Sequence, residues 1–314
     1  MSTNLSPNRS RRVGDTLPKK KRFTYQTRDA LTGYVFIAPQ VLGIALFVLV
    51  PLGLIFYYSF HEWNVLANDF SFVGIDNFKK FLNDPDMNTV LRNTGVFSLG
   101  LVIFNLSLAL FLAVMLNRKI RGTAFFRTVF FSPVVISLVA WTIVWGFLLQ
   151  DNGGINALLS MMGIDGPNWL REGWGAMISV IVVQVFKNVG LNMVLFLSAL
   201  QGVPTELYEA AALDGANRRK IFSKMTVPLI SPMILLTSII TIVGSLQVYA
   251  QVAVLTQGGP GMSTTVLVYY IVQQSFDFHQ LGYGSLLAII LFLIVLVLTV
   301  VQWQMRKRWV HYEQ

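Results

Sequence analysis

The sequence predicts an all-α membrane protein whose six transmembrane helices leave both termini on the cytoplasmic side. Three observations lead there. Hydrophobic residues make up 54% of the 314 and charged residues only 12%, a balance too apolar for a water-soluble domain of this size. Six runs, Tyr34–Phe56, Val96–Leu116, Val129–Leu149, Ala176–Leu200, Leu229–Leu255 and Leu286–Val301, approach the about 20 apolar residues that a membrane-crossing helix needs. A path through those runs from a cytoplasmic N-terminus puts nineteen of the 24 Lys and Arg on the cytoplasmic side. Positive residues retained on that side set orientation in this way.

Residues 1–29 are rich in Ser, Pro, Arg and Lys, so a disordered basic cytoplasmic tail is expected there, followed by one transmembrane domain over 30–314. The run Lys19-Lys20-Lys21-Arg22 sets topology and touches anionic headgroups. The net charge of +9 is therefore spent on the membrane, and no nucleic-acid partner is expected. Cysteine is absent, which excludes disulfides and thiolate metal sites. Pro39 and Pro51 fall near the two ends of the first run, where a proline bends a helix least.

Between the first two runs, Phe78, Phe81 and Leu82 at helical spacing are expected to lie along the membrane surface. In the fourth run Gln184, Lys187, Asn188 and Asn192 share one side of a helix. A charge at that depth costs about 2.5–3.5 kcal/mol on the insertion scale, so Lys187 must face the bundle or a wet cavity. The fifth run carries Thr237, Thr241 and Ser245 at four-residue steps. Two such polar stripes read either as the wall of a solute path or as interhelical hydrogen bonding. For Gln184 and Lys187 the path is the better reading, whereas for Thr237, Thr241 and Ser245 it is hydrogen bonding, since hydroxyls can bond their own backbone. Val266–Val272 is too short to span and reads as interfacial or re-entrant.

The fourth and fifth runs are joined by a polar, basic loop, 201–227, closed by Pro228. Pro204 suits the first turn of a helix, Gly215 permits positive φ, and Ile221, Phe222 and Met225 line one side of a second short helix. The loop therefore reads as helix, tight turn, helix, with Pro228 expected to push Val227 out of the α region. Within it, Glu209-Ala210-Ala211, Asp214-Gly215 and Met225-Thr226-Val227-Pro228 keep a fixed spacing.

That spacing resembles the EAA loop of carbohydrate-type ATP-binding-cassette importer permeases. The usual form ends Ile-x-Leu-Pro, so Met225 and Val227 are conservative departures. The resemblance extends over about 34–304, through Phe72–Phe78, Asp84-Pro85, Gly122–Arg127, Gly153–Asn156, Leu255–Thr265 and Gly282-Tyr283-Gly284. It implies a type I importer permease-like bundle in a bacterial cytoplasmic membrane. It also implies that the loop, through Glu209, Ala210, Ala211, Asp214, Gly215 and Pro228, docks on a cytoplasmic ATPase dimer. Other implied partners are a second permease subunit, as a heterodimer, and an extracytoplasmic sugar-binding protein. The solute path would then be lined by Gln184, Lys187, Asn188, Thr241 and Ser245. ATP and magnesium would be used by the partner ATPase, and this chain would hold no cofactor.

The sequence lacks G-x-x-x-x-G-K-[ST] and H-E-x-x-H, and His61, His279 and His311 all lie outside the six runs. No catalytic or metal-ligating set is expected. The alternative of another class is a self-contained secondary transporter or channel. Lys187 has no intramembrane Asp or Glu to pair with, and no internal repeat is visible.

Overall fold

The structure, a computed structural model, describes residues 22–64, 69–118 and 121–309. The expected tail up to residue 21, Lys119 and His311 lie outside these residues. The chain divides at Leu54 into two units. In the first, α1 (Arg22–Ile44) passes through the π turn Ala45–Leu49 into α2 (Val50–Tyr58). Arg22–Asp29 are thus helical, and the helix begins eight residues before the expected boundary. Pro39 is carried inside α1, and Pro51 is the second residue of α2, just past the π turn.

The second unit, from Ile55, opens with an element that the all-α expectation lacks. Strands β1 (His61–Asn64) and β2 (Asp69–Phe72) pair antiparallel with His61 opposite Phe72. Aromatic cross-strand contacts hold the hairpin: His61 stacks on Phe70 at 4.6 Å, and Trp63 meets the same ring edge-on at 5.7 Å. Next comes α3 (Asp76–Asn83), and its aromatic face corrects the surface-lying expectation. Phe78 and Phe81 pack into a cluster with Met87, Val90, Leu267, Tyr283 and Leu286, whereas Leu82 stays exposed. Apolar side chains with a protein surface within reach bury against it.

The long helices are α4 (Met87–Leu116), α8 (Gly173–Gln201) and α15 (Leu281–Trp309), with α5 (Thr123–Val135), α6 (Leu138–Leu148) and α7 (Gly154–Met161) between the first two. The α4 and α8 helices run the same way, with Gly100 against Ile181 and Asn105 against Val185. Together they enclose two apolar clusters, one around Phe97, Val180 and Val252, the other around Ala109, Met193, Phe196 and Ile230.

Among the described residues, four helices are long and apolar enough to cross a membrane, and six crossings result if each of two bent pairs counts as one. The first bend falls inside a run that reads as continuous in sequence, and the second at the start of one, beside the loop closed by Pro228. In the third run, α5 and α6 meet at 104°. Pro133 removes a donor in the last turn of α5, and Ile136 and Ser137 are extended. In the fifth, a helical stretch ending at Leu229 meets α12 (Ser231–Leu246) at 68°. That run also stops short. Beyond Leu246 the chain leaves the helix at Gln247 and Tyr249, and α13 (Ala250–Leu255) packs separately on α6. The short α14 (Leu267–Val272) matches the non-spanning piece expected there.

At the end where α4 begins, Asp84 ties down two distant segments. Its Oδ2 accepts from the Tyr270 hydroxyl at 2.8 Å and the Tyr283 hydroxyl at 2.5 Å. Lys80 lies 4.3 Å from the Tyr283 ring centre and donates to Gln280. Burial lowers the Lys80 pKa, with Asp84 and Glu62 opposing it.

Candidate functional site

The 201–227 loop folds as expected into two short helices around a tight turn. Helix α9 (Thr205–Leu213) starts after Pro204 and ends at Asp214. Gly215 adopts φ +73° and donates its N–H to Ala212 at 3.1 Å, while Ala216 donates to Ala211 at 3.0 Å. This pair of bonds is a Schellman termination, in which a left-handed residue after the helix satisfies its last carbonyls. The glycine four residues beyond Ala211 thus has a backbone reason. Asn217 then starts α10 (Arg218–Ile221) by accepting the Lys220 N–H at 2.9 Å.

The face turned outward is Glu209, Ala210, Leu213 and Asp214. Leu213 is 90% exposed, a large apolar side chain offered to solvent between two carboxylates. Ala211 and Ala216, which carry the turn, are half-buried. The other side of the loop is anchored to itself, with Thr226 donating to the Tyr208 hydroxyl at 3.4 Å.

One expectation here is corrected. Val227 is α-helical (φ −61°, ψ −45°), and Pro228 sits inside the short helix α11 (Val227–Leu229). The π turn Phe222–Thr226 immediately before it widens the backbone, as another does before Pro51. The chain turns instead at Ile230, where Pro232 opens α12.

The five path candidates do not converge on one point. Gln184 accepts from Gln251 on α13. Thr241 accepts from Asn192 at 3.0 Å, and Asn192 also donates to Asn105, whose own amide donates to the Val185 carbonyl at 3.2 Å. Ser245 is buried and donates to the Ile242 carbonyl at 2.7 Å, the self-bonding open to a helical hydroxyl. Asn188 is half-buried beside Lys187. The Asn105–Asn192–Thr241 chain ties α4, α8 and α12 together. Asn105 and Gln251 were not singled out in the sequence. A lone amide in the run Ile103–Leu106 was the available signal, since an unpaired buried amide costs several kcal/mol.

Lys187 makes a different set of contacts from its neighbours. Its ammonium reaches the Pro133, Val134 and Ile136 carbonyls at 2.5, 3.3 and 2.6 Å, where α5 breaks. These contacts favour holding the break over meeting a solute. Lys187→Met should therefore lower the yield of folded protein, since each acceptor left dry costs about 1–3 kcal/mol. Lys187→Arg should recover part of it. Uptake and yield measured side by side check this: normal yield with slow uptake would return Lys187 to the path.

A family model described as "Binding-protein-dependent transport system inner membrane component" matches residues 105–309. A probable ABC transporter permease protein, YesP of Bacillus subtilis, is 33% identical over 91% of this chain and 94% of its own length. The multiple sugar-binding transport system permease protein MsmF of Streptococcus mutans is 34% identical over 88% and 95%. In three dimensions, a chain of a bacterial ABC transporter involved in the import of alginate matches 92% of this chain and 99% of its own. The TM-score is 0.79 at 22% identity, which supports the fold alone.

Proposed function

The chain belongs to the binding-protein-dependent transport system inner membrane components, and from that premise we propose that it carries a sugar or oligosaccharide inward through an ATP-driven importer. As a member of that family it is a multi-pass transport subunit and not an enzyme. The observation that carries the finer reading is the outward face of α9, where Leu213 stands exposed between Glu209 and Asp214 on a turn locked by Gly215. An apolar side chain held rigidly in water is a plug for a partner's groove. The partner proposed is a cytoplasmic ATPase dimer, so that ATP and magnesium act outside this chain.

Sugar as the solute draws on the likeness to MsmF. The path would run beside α8, α12 and α13, where Gln184, Asn188, Thr241 and Ser245 offer neutral donors and acceptors suited to hydroxyl groups. A second permease subunit of related sequence would complete it, and an extracytoplasmic sugar-binding protein would deliver the solute. Both termini and the loop would face the cytoplasm, as the basic residues Arg118, Arg121, Arg127, Arg218, Arg219, Lys220 and Lys224 gathered near one end of the bundle favour.

Two measurements test this. Proteoliposomes containing the chain with its genomic neighbours should take up labelled oligosaccharide only with internal ATP and external binding protein. Uptake by this chain alone under an ion gradient would replace the reading with a secondary transporter. Since the sequence has no cysteine, single-cysteine labelling reads the orientation cleanly. Cysteines at Ser10, Asn217 and Gln314 should react only from the cytoplasm, and those at Asn68, Gly166 and Gln280 only from outside. External reaction at Asn217 would remove the ATPase from the scheme.

A further inference from the structure

We propose that the cavity between the coupling loop and the ends of α4 and α8 binds the headgroup of an anionic phospholipid. The open cavity has a volume of about 490 Å³, and its lining combines the exposed Arg118, Arg218 and Asn117 and the Tyr208 hydroxyl with the apolar Leu200 and Phe222. No carboxylate lines it. Arg118 lies two residues beyond the end of α4, and Leu200 is one residue from the end of α8. The cavity therefore sits where two spanning helices leave the hydrocarbon, the depth at which lipid phosphates lie.

A neighbouring arginine adds to the field. Arg127 donates from Nη2 to the Leu116 carbonyl at 3.4 Å, next to Asn117. Its buried Nε has no partner among the described residues. Arg121, Arg219, Lys220 and Lys224 belong to the same stretches of chain. Two guanidiniums with an amide and a phenol form a donor set for a phosphate, which Arg binds through a planar fork. Leu200 and Phe222 suit the glycerol and upper acyl carbons that accompany a lipid phosphate and not a free one. Basic pockets between spanning helices on the cytoplasmic side are suited to such headgroups. Because the lining spans α4, α8, α9 and α10, an occupant would touch both the bundle and the loop at once. It would thereby set how firmly the loop is held. Only the assignment of this end to the cytoplasmic leaflet rests on the orientation proposed above.

The test is native mass spectrometry of the full-length chain in detergent, titrated with phosphatidylglycerol, with phosphatidylcholine, and with phosphatidylglycerol in the presence of 10 mM inorganic phosphate. Phosphatidylglycerol should be retained in preference to phosphatidylcholine. Retention should fall about fivefold for Arg118→Gln or Arg218→Gln and about thirtyfold for the pair, as loss of one basic contact each implies. Arg219→Gln, outside the lining, should leave it unchanged. Arg118→Lys combined with Arg218→Lys keeps the charge, so partial retention there separates lost binding from a misfolded loop. Equal retention of the two lipids, indifference to both arginines, or full displacement by inorganic phosphate would each overturn the assignment. Binding is read directly, so the outcome does not depend on whether the loop meets an ATPase.

Discussion

Gly215→Pro should abolish ATP-coupled uptake while leaving the chain at normal abundance in the membrane. Gly215 sits at φ +73°, whereas proline is held near −65°, so the Schellman turn cannot form. The bond from the Gly215 N–H to Ala212 is lost with it. A Cβ at this position would meet nothing within 4 Å, so space is not the obstacle and conformation is. A graded series follows. Gly215→Asn, tolerant of the left-handed region, should keep most activity. Gly215→Ala should lose part of it through strain of about 1–2 kcal/mol. Gly215→Val should lose more. Substrate-stimulated ATP hydrolysis measured across the four variants checks the order. Activity that tracked side-chain size, or a Pro variant as active as the parent, would make the loop a mere connector.

The second large effect is structural. Gly190 on α8 faces the backbone of α5 so closely that a Cβ would fall onto the Phe130 carbonyl, with the Phe131 Cα at 2.9 Å. The obstacle is main chain, which cannot rotate away as a side-chain end can. Gly190→Ala should cost at or above the top of the about 1–3 kcal/mol typical of overpacking. The expected readout is a sharp fall in solubilised yield and in the temperature of aggregation. Lys187 stands three residues earlier on the same side of α8 and holds the end of α5. Gly190→Ala and Lys187→Met should therefore be non-additive, because each loosens the same helix pair. Additive losses would mean that α5 is held elsewhere.

The long apolar helices, the short α14 and the helix–turn–helix of the loop were legible because they rest on run length, on prolines and on one glycine. The bend at Ile136 was not. Apolar residues on both sides of it give a straight run in composition, and hydropathy carries no information about direction. The break expected at Pro228 falls at Ile230 instead. The hairpin at His61–Phe72 was missed because its strands are four residues each and are held by aromatic pairing across the turn. Helical periodicity cannot register that. Of the candidate site, the loop residues Glu209 to Gly215 fall where their spacing put them. The path candidates were harder to place, because a polar side chain inside a span does not announce which neighbour it will bond. Gln184 turned to Gln251, Thr241 to Asn192, and Lys187 to three carbonyls of a helix that had looked continuous.

The Asp84 junction carries a consequence in time. Its two phenol partners lie 186 and 199 residues further along the chain. At roughly 5–20 residues per second of synthesis, Asp84 leaves the ribosome about 10–40 s before them. Helices α4 to α12 are made in that interval, while the Asp84 Oδ2 still lacks both phenols. The end of the bundle where α4 begins is thus the last part to close, and it closes only when the final span arrives. A nascent chain arrested before Gly282 should expose that end to proteases, and release of the last span should protect it in a single step.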